Sequence, residues 1–247
     1  MKLTVVGSGD AFGSGGRLQT CFHVAASGEK FLIDCGATSL IGMQRLGLDP
    51  EQVSTIFISH LHGDHFSGLV WWMIHAHHVT RRTRPLTITG PVGIEERFVT
   101  AAETLFPGSA KVERRFDLRF IEYVQGEPVE VGPIRVTPFE VCHPSGAPPY
   151  ALRIETDGKI VSFSGDTIWL ECLVEAANGA DLFIAECFGF DKALGYHTTW
   201  RDIEEHLDQL DAKRVLLTHM STEMLAKRNE VHDARVCVAE DGMVIDI

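Results

Sequence analysis

The residues best suited to chemistry lie in Ser59-His60-Leu61-His62-Gly63-Asp64-His65, which packs three imidazoles and a carboxylate into six consecutive positions. Alternate side chains of an extended segment share a side, so His60 and His62 can converge on one ion, while Asp64 and His65 turn off toward another. Gly63 gives the backbone the freedom for that turn. A metal centre is the expected use, and the rest of the chain must supply further ligands.

The loop follows the apolar run from Val53 to Ile58, which reads as a buried strand. Other metal-type side chains recur where strands are expected to stop. Asp34 follows Lys30 to Ile33, His143 follows Ile134 to Val141, Asp166 follows Lys159 to Phe163, Glu186 ends a strand from Asp181, and His219 follows Lys213 to Leu217. Ligands on loops along one edge of stacked sheets assemble a site from distant sequence.

The intervening segments complete an α+β pattern. Helices are expected over Ser39 to Leu46, Phe66 to His78, Gly93 to Leu105, Ile168 to Ala177 and Thr199 to Leu210. Hairpins are expected for Cys21 to Ala26 with Lys30 to Asp34, Tyr150 to Glu155 with Lys159 to Phe163, and Arg235 to Ala239 with Met243 to Ile247. Phe116 to Tyr123, Pro128 to Val131 and Ile134 to Val141 read as antiparallel strands. Gly7 to Gly16 holds five glycines in ten residues without the spacing of a dinucleotide fingerprint, and is expected to let backbone pass close to a site. His75, His77 and His78 are read as a polar helix C-terminus rather than as ligands.

Composition narrows the class. A chain of 247 residues with 45% hydrophobic and 23% charged residues suits one soluble globular domain over 1–247. Formal net charge is −12, which opposes a long nucleic acid as partner, and Arg81-Arg82-Thr83-Arg84 is the only compact basic cluster, read as a solvated cap. There is no signal-peptide core and no membrane-spanning run, so a cytoplasmic protein without a membrane partner is expected. The six cysteines form no Cys-x-x-Cys pair and are read as reduced packing residues.

These motifs carry a resemblance. The His60-x-His62-x-Asp64-His65 loop, lone His143, Asp166 in Ser-Gly-Asp-Thr and His219 in Leu-Thr-His resemble the metallo-β-lactamase superfamily across nearly the whole chain. Phe57 to Leu69, Glu186 to Thr198 with its Gly195-Tyr196-His197-Thr198, and Val215 to Ser221 are most similar to the ribonuclease Z and phosphodiesterase branch.

The resemblance implies a four-layer αββα sandwich with two Zn2+ on one edge, Mn2+ or Fe2+ being alternatives. It assigns His60, His62 and His143 to one ion, Asp64, His65 and His219 to the other, and Asp166 as a bridge. Asp64 and His197 are implied as catalytic, with His197 protonating the leaving oxygen; Glu186 is read as positioning His197 and Asp34 as orienting a ligand imidazole. Two ions roughly 3.5 to 4 Å apart can share a water with a pKa of about 7 and clamp an in-line displacement at phosphorus. His62 stands where the diiron oxygen-reducing branch carries Glu, and Asp166 where zinc β-lactamases carry Cys, so hydrolysis of something other than a penicillin is expected.

The expected substrates are small cyclic, aryl or nucleotide phosphodiesters. Carboxylic, lactone, thioester or sulfate esters, ribonuclease Z-type cleavage and a non-catalytic ligand-binding module are the alternatives. Tyr150 to Glu155 returns through Thr156-Asp157-Gly158 with no room for a tRNA-gripping arm. The Trp71-Trp72 helix is expected in the core or at the contact of a homodimer.

Overall fold

The computed structural model describes residues 1–192 and 194–247. The first half builds one sheet and its helices: β1 (Lys2–Gly7), β2 (Cys21–Ala26), β3 (Glu29–Ile33), α1 (Ser39–Arg45), β4 (Val53–Phe57), α2 (Gly63–Phe66), α3 (Gly68–His78), β5 (Leu86–Gly90), α4 (Ile94–Leu105) and β6 (Leu118–Glu122). The second half supplies β7 (Val129–Val131), β8 (Ile134–Glu140), β9 (Tyr150–Thr156), β10 (Lys159–Phe163), α5 (Cys172–Ala177), β11 (Leu182–Glu186), α6 (Trp200–His206), β12 (Val215–Thr218), α7 (Thr222–Lys227), β13 (Val236–Val238) and β14 (Val244–Asp246). The sheet orders are β14-β1-β2-β3-β4-β5-β6 and β13-β12-β11-β10-β9-β8-β7.

Strand alternation sorts side chains into three apolar layers, which makes the expected four-layer αββα sandwich. Phe31 and Ile33 of β3 meet Val161 and Phe163 of β10 in the cluster between the sheets. Leu32 points the other way, into the cluster holding Trp72 of α3 and Phe98 of α4. Val215 and Leu217 of β12 face Trp200 and Ile203 of α6 in the third cluster, while Leu216 joins the central one. Each sheet is therefore apolar on both faces and must be covered on both.

The same topology gathers the strand ends. β3, β4 and β5 are mutually parallel, as are β10, β11 and β12, and β8 runs with β10 because both oppose β9. The exits of β3 and β4 in one sheet, and of β8, β10, β11 and β12 in the other, thus lie along one edge. Tyr150 N donates to Ser59 O at 3.0 Å and His219 N to Ser8 O at 3.1 Å, tying the two sheets together there.

Several pairings differ from the sequence reading. β6 does not join an antiparallel set with β7 and β8; it lies parallel to β5, reached through the crossover helix α4. β13 and β14 form no hairpin, since β13 pairs with β12 and β14 with β1, in opposite sheets. Asp241 diverts the chain between them, accepting from Ser8 N, Ser8 Oγ and Leu18 N at 2.8–2.9 Å. The helix expected over Phe66 to His78 is broken at Ser67. There Gly68 N donates to Cys35 O at 2.9 Å instead of continuing the helix ladder, and Cys35 N donates to His65 O at 2.6 Å. Only glycine fits at position 68, where a Cβ would meet Gly36 O at 2.1 Å. The Ile168 to Ala177 helix begins only at Cys172, and α7, capped by Ser221 Oγ accepting from Met224 N, was not anticipated. Trp72 is buried in the core and Trp71 packs edge-on to Phe106, so α3 spends most of its apolar surface inside the chain. Among the described residues no helix is long and apolar enough to cross a membrane.

Candidate metal centre

The strand-end residues converge as two groups whose ligand-type atoms lie within 4.8 Å of one another: His60, His62 and His143, then Asp64, His65, Asp166 and His219. Asp166 stands between them. Its Oδ2 lies 3.8 Å from His60 Nε2, 3.9 Å from His143 Nε2, and 3.3 Å from both His65 Nε2 and His219 Nε2. Asp64 Oδ2 faces the second group, 3.1 Å from His219 Nε2 and 3.2 Å from His65 Nε2.

Four of the inward-facing imidazoles, His60, His62, His65 and His143, are oriented by a hydrogen bond at the other nitrogen, which fixes the ring and the tautomer it presents. His60 Nδ1 meets Ser59 Oγ at 3.1 Å, His62 Nε2 meets Pro144 O at 3.1 Å, and His143 Nδ1 meets Tyr196 O at 3.0 Å. His65 Nδ1 meets Asp34 Oδ2 at 2.6 Å, and that buried carboxylate also accepts from Ser59 N and Ser59 Oγ at 2.7 Å. His219 Nδ1 is buried without a hydrogen-bond partner, 3.7 Å from Glu186 Oε1. Asp34 and His219 have φ of 57° and 59°, a left-handed backbone uncommon outside glycine that swings both side chains out of their strand directions.

The electrostatics fit cations. Burial pushes the His60 pKa well below its ordinary value, and His65 lowers it further. Burial alone would raise the Asp166 pKa, but His219 and His65 hold it well below the carboxylate range. Burial opposes charge on His219, yet Asp166 and Asp64 lift it to about 9. His60 Nε2 and Asp166 Oδ1 are buried without any hydrogen-bond partner. A buried imidazole nitrogen and a buried carboxylate oxygen, both unpartnered, are costly unless a cation takes up their lone pairs. The imidazole and carboxylate set suits Zn2+ and other divalent ions.

A third group, Asp166, Glu186, His197 and His219, adjoins these. His197 Nδ1 and Glu186 Oε1 are in close hydrogen-bond contact. Glu186 Oε2 accepts from Thr167 N and Thr198 N, each at 3.1 Å, so the carboxylate is fixed. Burial works against charge on His197, but its bond to Glu186 raises its pKa above the ordinary value. Every site residue expected from the sequence is therefore brought together, while His75, His77 and His78 join no such group among the described residues. Sequence reasoning missed Ser59, the Pro144 and Tyr196 carbonyls, and the apolar rim of Phe12, Phe188 and Leu194. The only available signal for that rim was the glycine loop, expected to approach a site, which carries Phe12 there.

Known proteins match the chain over almost its whole length. The family model described as Anti-Pycsar protein Apyc1 matches residues 1–244. A ribonuclease Z of Methanothermobacter thermautotrophicus is 31% identical over 310 aligned positions, spanning 100% of this chain and 97% of the relative. The human short-form tRNase Z superposes with a TM-score of 0.79 at 25% identity, covering 100% of this chain and 99% of that one. The metallo-β-lactamase fold protein YhfI from Bacillus subtilis gives a TM-score of 0.79 at 21% identity, covering 99% of each chain. From the paired sheets, the clustered ligand-type residues and these matches, the chain belongs to the Anti-Pycsar protein Apyc1 family and is a hydrolase of the metal-dependent metallo-β-lactamase fold.

Proposed function

We propose that this chain is a dinuclear zinc phosphodiesterase acting on small cyclic, aryl or nucleotide diesters in the cytoplasm. The observation that carries the reading is Asp166 Oδ2, which lies within 3.9 Å of imidazole nitrogens from both ligand groups. His60, His62 and His143 would hold one ion, Asp64, His65 and His219 the other, with Asp166 shared. When bound, the two ions supply a water of lowered pKa and positive charge beside the phosphoryl oxygens.

The chain's own residues do the rest. Asp34 holds His65 through Nδ1, and so fixes which nitrogen faces the centre. Asp64 turns Oδ2 to His65 and His219, and its other oxygen would accept a hydrogen bond from the attacking water. Glu186 keeps the His197 proton at Nδ1 and raises the pKa of the ring, leaving Nε2 to deliver its proton to the departing oxygen. Both His197 and Asp166 line the same cleft, so donor and centre face one substrate.

Three observations favour small diesters over a folded RNA. The β9–β10 turn closes with Thr156 paired to Lys159 and leaves no insertion at that point. The ribonuclease Z relative needs 310 aligned positions against 247 residues here, so it carries internal segments this chain lacks. Arg82, moreover, is withdrawn from the surface. It is 1% exposed and donates to the carbonyls of Val53, Arg84 and Pro85 at 2.6–2.8 Å, so the Arg81 to Arg84 cluster is poorer in free charge than it reads. The test is a turnover screen of zinc-loaded protein at physiological salt. Bis(p-nitrophenyl) phosphate should be cleaved at least tenfold faster than matched carboxylic, sulfate and thioester substrates, and precursor tRNA should be left intact. Preference for another ester class, or tRNA cleavage at a comparable rate, overturns it.

A further inference from the structure

The cleft above the candidate centre has a volume of about 200 Å³, and its floor and its rim differ in chemistry. The floor is imidazole and carboxylate, whereas the rim is Phe12, Phe188 and Leu194. Phe12 is 78% exposed and Leu194 65% exposed. Of the 14 phenylalanines, Phe12 alone is exposed, and among the described tyrosines and tryptophans only Tyr196, next to His197, is exposed.

Phe12 is held in place rather than left on a loose tip. Buried Asp10 accepts from Phe12 N at 3.2 Å and Ser14 N at 2.8 Å through Oδ1, and from Ser14 Oγ at 2.7 Å through Oδ2. Gly9 bridges to both Gln19 and Met220, anchoring the loop beside His219. Across the cleft, Phe188 stacks on His197 with centroids 4.7 Å apart and planes at 23°. A fixed turn that exposes a phenyl ring to water at the mouth of a polar site keeps apolar surface available for a ligand.

We propose that Phe12, with Leu194 and Phe188, is the specificity element of this site and selects phosphoesters that carry a flat aromatic group, aryl or nucleobase. The proposal rests on the phosphodiesterase reading of the centre. An anionic head on the floor places the remainder of the ligand against the rim. The rim side chains offer no hydrogen-bond donor or acceptor, so recognition there is by stacking and apolar contact. Different bases and simple aryl groups should therefore be held comparably.

The test uses stable competitors of zinc-loaded enzyme turning over bis(p-nitrophenyl) phosphate. Phenylphosphonate is compared with methylphosphonate, and adenosine 5′-monophosphate with ribose 5-phosphate. In the wild type the aromatic member of each pair should inhibit about tenfold more tightly, equivalent to about 1.4 kcal/mol and within the range for aromatic stacking. Phe12→Ala should bring the ratio within each pair toward one, and Phe12→Trp should restore it. An advantage in the phenyl pair alone assigns the rim to aryl esters, and one in both pairs extends it to nucleotides. If methylphosphonate inhibits but the ratio is near one, or survives in Phe12→Ala, the proposal fails while the phosphodiesterase reading stands. If neither phosphonate competes, that reading falls and the proposal with it. Should Phe12→Ala alter only the sedimentation coefficient, this rim is a contact between copies of the chain and the proposal is wrong.

Discussion

Replacing Asp34 by asparagine should weaken metal binding without removing a single ligand. The carboxylate is fully buried and accepts three hydrogen bonds, from Ser59 N and Ser59 Oγ at 2.7 Å and from His65 Nδ1 at 2.6 Å. Asparagine keeps one oxygen, which can still serve Ser59, but its amide then confronts His65 with a donor. Either His65 adopts the other tautomer, placing its proton on the nitrogen that faces the centre, or two donors oppose each other in a buried site. Losing a charge-assisted bond of this kind costs about 1.5–3 kcal/mol, and losing the partner of a ligating imidazole typically costs about 10- to 100-fold in metal affinity. The two figures agree, since about 1.4 kcal/mol is tenfold. Competition for zinc against a chromophoric chelator measures the affinity, and urea unfolding of the metal-free protein separates simple destabilisation. Unchanged zinc affinity in Asp34→Asn, whatever happens to stability, would refute the orienting role.

Two further outcomes follow from the geometry. His197→Ala should retain its metals and lose about 10²-fold or more on diesters with alkyl leaving groups, with a smaller loss on p-nitrophenyl esters, whose leaving oxygen needs less protonation; equal losses in kcat on both would exclude the proton-donor role. His23, buried in β2, has its pKa lowered by burial to about 4 from an ordinary 6.5. The unfolded chain therefore takes up a proton that the folded one refuses, and stability falls as pH drops from 6.5 toward 4, by up to about 3 kcal/mol. His23→Gln should remove that part of the slope, and equal dependence of unfolding free energy on pH in both proteins would contradict the assignment.

The site was more legible than the pairings around it. The His60 to His65 loop and the isolated Asp34, His143, Asp166 and His219 all stood at the ends of apolar runs, and parallel strands deliver such ends to one edge. Strand partners were less accessible because alternation reports a buried face and carries no information on which strand lies alongside. Phe116 to Tyr123 looks as ready to pair with its successor as with β5, and only the crossover through α4 decides. The turn at Asp241 reads as a tight hairpin, yet its carboxylate is spent on Ser8 and Leu18, residues more than 220 positions away. Arg82 looked like a solvated cation. A pocket of backbone carbonyls beneath Trp72, with the guanidinium 5.1 Å from that ring, captures it through contacts no local pattern announces.

The central claim, two metal positions joined by Asp166, is tested most directly by metal stoichiometry. Wild-type protein stripped with chelator, reloaded with zinc and freed of excess should carry two ions per chain by elemental analysis. Asp166→Ala should lose tight binding at both positions, because that one carboxylate faces both ligand groups. No more than one ion in the wild type, or two retained in Asp166→Ala, would contradict the account.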